Sequence, residues 1–329
     1  MPLEGVTTYY DEVFGEISMN NSELQDQILM KADGYPTYNF CHVVDDHLMG
    51  VTHVVRGSEY LTSTPKYVLL YDAYGWERPK YVHLPLLMGR NEDGSVSKLS
   101  KRHGAVSFQD LLDDGYLSEA IVNYIALLGW CPKNSESEFF TLDTLKDAFT
   151  IDGVSKSPAV FDFEKLLWFN GEYIHKLSFD EFKTRVAPFI TKEIPENVNK
   201  ERMLALLHTR IAKLSEINDR MEFFLNLPEY STEMFFNKKN KISELGTGKT
   251  VLEAAYTILE GVESYDNDTL FTALTPLTEA LGLKTGTIMW CIRIAVSGMA
   301  ATPGGATEIM EVIGKPESLR RIKLALERI

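Results

Sequence analysis

The 329 residues are short of cysteine, of basic residues relative to acidic ones, and of long apolar runs. The three cysteines, Cys41, Cys131 and Cys291, lie far apart. That spacing excludes a zinc knuckle and a disulfide framework, and it reads as reduced packing thiols in a cytoplasmic protein. No apolar run approaches the ~20 residues a membrane-spanning helix needs, so no membrane partner is expected. The opening "MPLEGVTTYYDEVFGEIS" has no basic start and no apolar stretch, and is not read as a secretory signal. Internal repeats and low-complexity tracts are also absent. Basic residues number 33 against 47 acidic ones, for a net charge of -14. Net acidity counts against a nucleic-acid partner, because phosphate needs local positive charge. The average conceals basic clusters, however, at Lys98–His103, "NKKNK" (237–241) and "KPESLRRIK" (315–323). Each of these can also be a solvated face.

What is present is ordinary globular material, 44% hydrophobic and 24% charged, long enough for roughly two or three domains. Residues 1–33 read as short strands and a connection. "YPTYNFCHVVDDHLMGVTHVVRG" reads as strand, short helix, strand, with the β-branched "VTHVV" as a buried strand ending at Gly57. A helix follows, capped by Ser63 or Thr64, with Pro65 in its first turn and Gly75 as its stop. "YVHLPLL" reads as another short buried strand, which makes strand, helix, strand a parallel crossover. From residue 107 the texture is helical. Ile121, Tyr124, Ile125 and Leu128 fall on one face, and Leu204, Leu207, Ile211, Leu214, Ile217, Met221 and Phe224 on another. Both stripes read as core. "TPGG" at Thr302–Gly305 breaks the tail, and the stretch near Lys192–Lys200 reads as a seam.

Three motifs carry possible chemistry. "GTGKT" at Gly246–Thr250 lacks the earlier glycine and preceding strand of a phosphate-binding loop, and reads as a surface turn. "HVVDDH" gathers His42, Asp45, Asp46 and His47 without a standard metal-ligand spacing, so the aspartates are read as structural and no metal site is assigned. "SKLSKRHG" (97–104) packs Lys98, Lys101 and Arg102 into a glycine-bounded loop. Such flexible point charges suit phosphate charge that develops in a transition state, though a solvated basic turn stays open on spacing alone.

"KLSKR" resembles the KMSKS signature of class I aminoacyl-tRNA synthetases in the form used by glutamyl-tRNA synthetases. "YPTYNFCHVVDDHLMGVTHVVRGSEYLTSTP" resembles the second half of that family's catalytic domain. "DDGYLSEAIVNYIALLGW" and "VSKSPAVFDFEKLLWFNGEYI" are similar to its stem-contact region, and "GLKTGTIMWCIRIAVSGMAATPGG" to its helical anticodon-binding region. The resemblance covers essentially the whole chain. It implies an α/β plus all-α fold: the C-terminal half of a Rossmann-like nucleotide-binding domain, then helical domains. Residues 1–33 would end the acceptor-binding insert, 34–96 form the half-domain, 97–190 the lysine loop and stem-contact region, and 191–329 the anticodon-binding domain.

The implied reaction is ATP-dependent attachment of glutamate to tRNA(Glu) through glutamyl-adenylate, with Mg2+ accompanying ATP. The opposing charge for the cationic loop would then be the ATP phosphates. The resemblance makes Lys101 and Lys98 catalytic, with Arg102 supporting the loop. It makes Lys101, Ser100, Leu86, Leu87 and Glu59 ATP-binding, Glu59 and Tyr60 facing the nucleotide or the acceptor end. Tyr38, Arg56 and His42 become contacts to the glutamate substrate, Arg56 with a planar fork suited to a carboxylate. The family's first signature, HIGH, has no counterpart in this sequence, so the expectation is a fragment with impaired activity and an open-edged half-sheet that invites a second copy. The full-length parent is expected to be a monomer, with tRNA(Gln) left open as a second acceptor. A non-catalytic tRNA-binding module is the alternative. The sister glutaminyl family has a β-barrel anticodon region, against which the helical tail speaks, and the shorter tRNA-modifying paralogue has none.

Overall fold

A computed structural model of the chain describes residues 1–100, 103–104, 107–133, 137–240 and 242–329. It divides into two compact units. The first comprises Met1–Leu111 and Ser118–Leu166, the second Leu112–Leu117 and Leu167–Ile329. The division falls upstream of the 192–200 stretch that reads as a seam in the sequence.

The first unit holds a four-stranded sheet. β1 (Val6–Asp11) and β2 (Gly15–Asn20) form an antiparallel hairpin. Along β1 every second residue, Thr7, Tyr9 and Asp11, is buried, the period expected of a strand with one covered face. β3 (His53–Gly57) and β4 (Lys80–Leu84) are parallel and joined through α2 (Thr64–Tyr74), as the crossover pattern requires. The order is β2-β1-β4-β3. Tyr9, Val68 and Tyr81 form the core between sheet and α2, while Val43, Tyr67 and Tyr71 pack α1 (Tyr38–Leu48) onto α2.

Several local expectations change. Residues 35–37 form no strand: Pro36 makes one isolated bridge with Met30, and a proline has no N–H to extend a ladder. α2 starts at Thr64 with Pro65 in its first turn and ends at Gly75, whose φ of 67° serves the left-handed cap, but Ser63 makes no side-chain cap bond. β3 is not a buried strand. It lies at the sheet edge, and Val55 is 57% exposed. "YVHLPLL" is two strands rather than one: Pro85 closes β4, and β5 (Leu87–Arg90) belongs to a separate sheet of order β6-β5-β7, with β6 (Val96–Lys98) antiparallel and β7 (Ala159–Phe161) parallel to it. Beside the β3 edge lies an apolar cavity lined by Val55, Val82, Leu84, Ile125, Trp130 and Phe149. Ile125, read as core, is therefore 42% exposed, whereas Ile121 and Tyr124 of α4 (Ser118–Leu127) are buried.

The rest of the first unit holds α5 (Leu142–Ala148), while α3 (Phe108–Asp113) and α6 (Phe163–Lys176) run across the unit boundaries.

The second unit is helical. α7 (Phe179–Val186) opens with a capping box between Ser178 and Glu181. The stripe from Leu204 to Phe224 is buried as expected, but it is divided among α8 (Lys200–His208), the connection that holds Ile211 and Leu214, and α9 (Ile217–Leu225), rather than lying on one helix. α10 (Leu245–Gly261) contains "GTGKT", so that motif forms the first turns of a helix and not a surface turn. α11 (Asn267–Leu274), α12 (Leu277–Leu281), α13 (Thr285–Ser297) and α14 (Ala306–Arg328) complete the array, with "TPGG" between the last two and a break within α14 at Gly314. In "KPESLRRIK" Arg321 is not a surface cation. It is fully buried, with Nε on Glu317 at 2.7 Å, Nη1 on the carbonyls of Phe223 and Val296 at 2.7 Å each, and Nη2 on that of Phe224 at 3.0 Å. It ties the ends of α9 and α13 to α14, satisfying carbonyls that the helices leave open. In "NKKNK", Lys241 lies outside the described residues.

Candidate functional site

The parallel register of β3 and β4 sets Arg56 opposite His83. Both ring nitrogens of His83 are engaged. Nδ1 lies 2.6 Å from Asp11 Oδ2, and Nε2 receives Arg56 Nε at 3.2 Å. A guanidinium only donates, so Nε2 is the acceptor and Nδ1 carries the proton toward Asp11. Arg56 Nη2 donates to Thr64 Oγ1 at 2.6 Å, and that hydroxyl in turn donates to the Tyr60 carbonyl at 2.8 Å. The guanidinium lies over the rings of Tyr60 and Tyr67, at 4.8 and 4.9 Å from their centroids. Its remaining nitrogen, Nη1, is buried without a partner.

α1 brings two further groups to this cluster. Tyr38 and His42 are one turn apart, and their rings lie 5.0 Å from each other. The Tyr38 ring is 6.1 Å from that of Tyr60, and the His42 ring meets Tyr67 edge-on at 4.4 Å. Tyr67 is itself held by its hydroxyl bond to Asn39 Oδ1 at 2.8 Å. His42 Nδ1 faces Asp46 Oδ2 at 3.4 Å, and its Nε2 is the second buried atom of the cluster with no partner. Burial pushes the His42 imidazolium down from its ordinary value. The hydrogen bond to Asp46 opposes this and the positive charge of Arg56 adds to it. Burial and Tyr60 push the Tyr38 phenol up, against the pull of Arg56. Tyr38, His42 and Arg56 are thus brought together, in an aromatic box with two unanswered polar nitrogens. His47, the other histidine of "HVVDDH", is turned away and stacks on Trp76 at 4.0 Å. Among the described residues no group of three or more His, Cys, Asp or Glu side chains could hold a metal ion.

The remaining candidates gather around the three-stranded sheet. Leu86 and Leu87 spend their carbonyls on Ala159 N at 3.0 Å and Leu99 N at 2.9 Å. Lys98 ends β6, is exposed, and pairs with Glu59 at 3.4 Å. Its own backbone amide, and then Lys98, hold the Glu59 carboxyl below the usual range against slight burial. Ser100 is pinned by His103, a residue to which the sequence reading gave no role. His103 Nδ1 accepts from the Ser100 amide at 3.0 Å, and Nε2 lies 3.0 Å from Asn91 Oδ1. The ring covers Gly89, where a Cβ would come within 2.6 Å of it. Lys101 and Arg102 lie outside the described residues. Asp11, Thr64 and His83 were also missed. The one signal for His83 is a lone polar residue inside "YVHLPLL", which a buried strand must supply with partners.

A sheet with a parallel crossover and an arginine held among aromatic rings beside it point to a class before they point to a member. Residues 1–168 match the family model "tRNA synthetases class I (E and Q), catalytic domain", and residues 181–326 match "Anticodon binding domain". The chain belongs to this family of class I tRNA synthetases for glutamate and glutamine. Among its relatives, the glutamate–tRNA ligase of Clostridium tetani is 48% identical and that of Clostridium kluyveri 49% identical, each over 328 residues. Those matches take in 100% of this chain but 66% of each relative, so the chain spans just under two thirds of their length. A crystal structure of a glutamate tRNA ligase from Elizabethkingia meningosepticum, in complex with its amino acid, superposes with a TM-score of 0.86 at 30% identity, covering 99% of this chain and 67% of that one.

Proposed function

We propose that the chain provides the glutamate pocket and the lysine loop for attachment of glutamate to tRNA(Glu) by way of glutamyl-adenylate. The carrying observation is the buried, unpartnered donor Arg56 Nη1, in one aromatic cluster with Tyr38 and with His42, whose Nδ1 is spent on Asp46 and whose Nε2 is an open acceptor. A buried donor without an acceptor is costly, most of all on a charged group, and a bound anionic side chain or carboxylate removes that cost. Arg56 would hold a glutamate carboxylate, with Tyr38 and His42 lining the pocket. In the first step a glutamate carboxylate oxygen bonds to the α-phosphorus of ATP while the bond to pyrophosphate breaks. Lys101 and Lys98 would stabilise charge on the phosphates as it develops. Ser100, Leu86, Leu87 and Glu59 would border the nucleotide. In the second step a terminal ribose hydroxyl of tRNA(Glu) takes the glutamyl group and AMP leaves. Mg2+ would arrive on the ATP phosphates. The three thiols are free, and no helix among the described residues is long and apolar enough to cross a membrane.

One observation favours a second reading, a tRNA-binding module without catalysis: residues 181–326, close to half of the chain, match an anticodon-binding family model. Glutamate-dependent exchange of pyrophosphate into ATP separates the two. Exchange above the level without glutamate supports the catalytic reading. Absent exchange with binding of tRNA(Glu) that weakens as salt rises supports the module. Neither exchange nor tRNA binding would overturn both.

A further inference from the structure

We infer that Asp11 and His83 are positioning residues that set the Arg56 guanidinium for a substrate carboxylate, an inference that rests on the assignment of Arg56 above and deepens it. Both side chains are fully buried. Asp11 ends β1 and reaches across to β4, 72 residues away. Its Oδ1 accepts from the amides of Val13 at 3.0 Å and Phe14 at 2.8 Å. Its Oδ2 accepts from the His83 amide at 3.1 Å and from His83 Nδ1 at 2.6 Å. Four donors converge on two oxygens, and only a carboxylate meets them all. An amide in its place would set an NH2 against backbone N–H groups in either orientation.

The carboxylate therefore fixes the proton of His83 on Nδ1. The Nε2 lone pair is then free for Arg56 Nε at 3.2 Å. With Nε held there and Nη2 on Thr64, the guanidinium plane is defined and Nη1 alone is left over. The opposite tautomer would point an N–H at an N–H and turn Arg56 out of that plane. A change from Asp to Asn behind a histidine is known to produce this tautomer error in catalytic triads. The same chain sets a negative charge one ring behind the arginine, which helps a guanidinium remain in a largely enclosed position before any ligand arrives.

The test uses the chain with uniformly 15N-labelled histidine and a glutamate titration, applied to wild type, Arg56→Lys, Asp11→Asn, His83→Leu and His83→Gln. In wild type the His83 nitrogens should report a proton on Nδ1 and none on Nε2. Asp11→Asn and His83→Leu should each weaken glutamate about tenfold or more, the loss expected when a hydrogen bond to a charged group is no longer set. His83→Gln keeps an acceptor for Arg56 Nε and should recover part of that loss, which simple damage to the core would not. If Asp11→Asn does not fold, the comparison of His83→Gln with His83→Leu carries the result. A proton on Nε2 in wild type overturns the inference. So does His83→Leu binding glutamate as tightly as wild type while Arg56→Lys does not. A wild-type chain that binds no glutamate overturns the pocket assignment itself, and the positioning role with it.

Discussion

Arg56 engages two of its three nitrogens with protein partners and keeps the third buried and unanswered. His42 does the same with one of its two. Such atoms are rare in a finished core and common where a ligand completes the hydrogen bonding. His42 also has a measurable consequence. Its folded value is pushed below the ordinary 6.5, so the unfolded chain takes up a proton first as pH falls. Its contribution to stability is therefore complete above about pH 6.5 and declines as pH drops from there toward the folded value. Denaturant unfolding of wild type and His42→Gln at pH 7.5 and 5.5 should show wild type losing more stability than the variant on acidification. A difference between the two proteins that does not change with pH would contradict the shift. Tyr38, His42 and Arg56 could be named in advance because each stands in a stretch with a family resemblance, and the structure brings the three side chains together. Asp11 and His83 could not be named. Nothing in "VTTYYD" or "YVHLPLL" says that their buried polar residues meet, since that contact depends on how β1 and β4 lie beside each other.

Local rules served where glycine and proline acted on their own neighbours. Pro65 and Gly75 bound α2 as read, and the strand, helix, strand crossover followed. They failed where pattern alone could not tell depth or continuity. "VTHVV" has the composition of a buried strand but takes an edge position, and the stripe over residues 200–225 is divided among two helices and the connection between them. "GTGKT" had turn-like composition, yet Gly248, Val251 and Leu252 are buried on one face of α10, and tertiary packing overrode its low helix propensity. The lysine loop depends on one such packing detail. Gly89 leaves room for the His103 ring that pins Ser100, and a methyl group there would have to displace it. Gly89→Ala should therefore loosen residues 98–102. Trypsin cleavage after Lys98 under native conditions should speed up about fivefold or more, the effect of roughly one lost hydrogen bond on local opening. An unchanged rate would mean that His103 does not hold the loop.

Across the molecule, two units have separate cores and separate chemical character. The first is built on a sheet whose strand β3 presents Arg56 near its end. The second is built on helices tied through Arg321, the one cation of "KPESLRRIK" that is buried, while Arg320 and Lys323 stay exposed. On the proposed reading the first unit would recognise the amino acid, while the stretch that matches the anticodon-binding family model lies in the second. The most direct measurement is a titration of wild type and Arg56→Lys with glutamate and, separately, with tRNA(Glu). Lysine keeps the charge but cannot replace two parallel hydrogen bonds. Affinity for glutamate should fall about tenfold or more, while affinity for tRNA(Glu) stays within about twofold of wild type. Unchanged glutamate affinity, or equal losses for glutamate and tRNA, would contradict a glutamate pocket centred on Arg56.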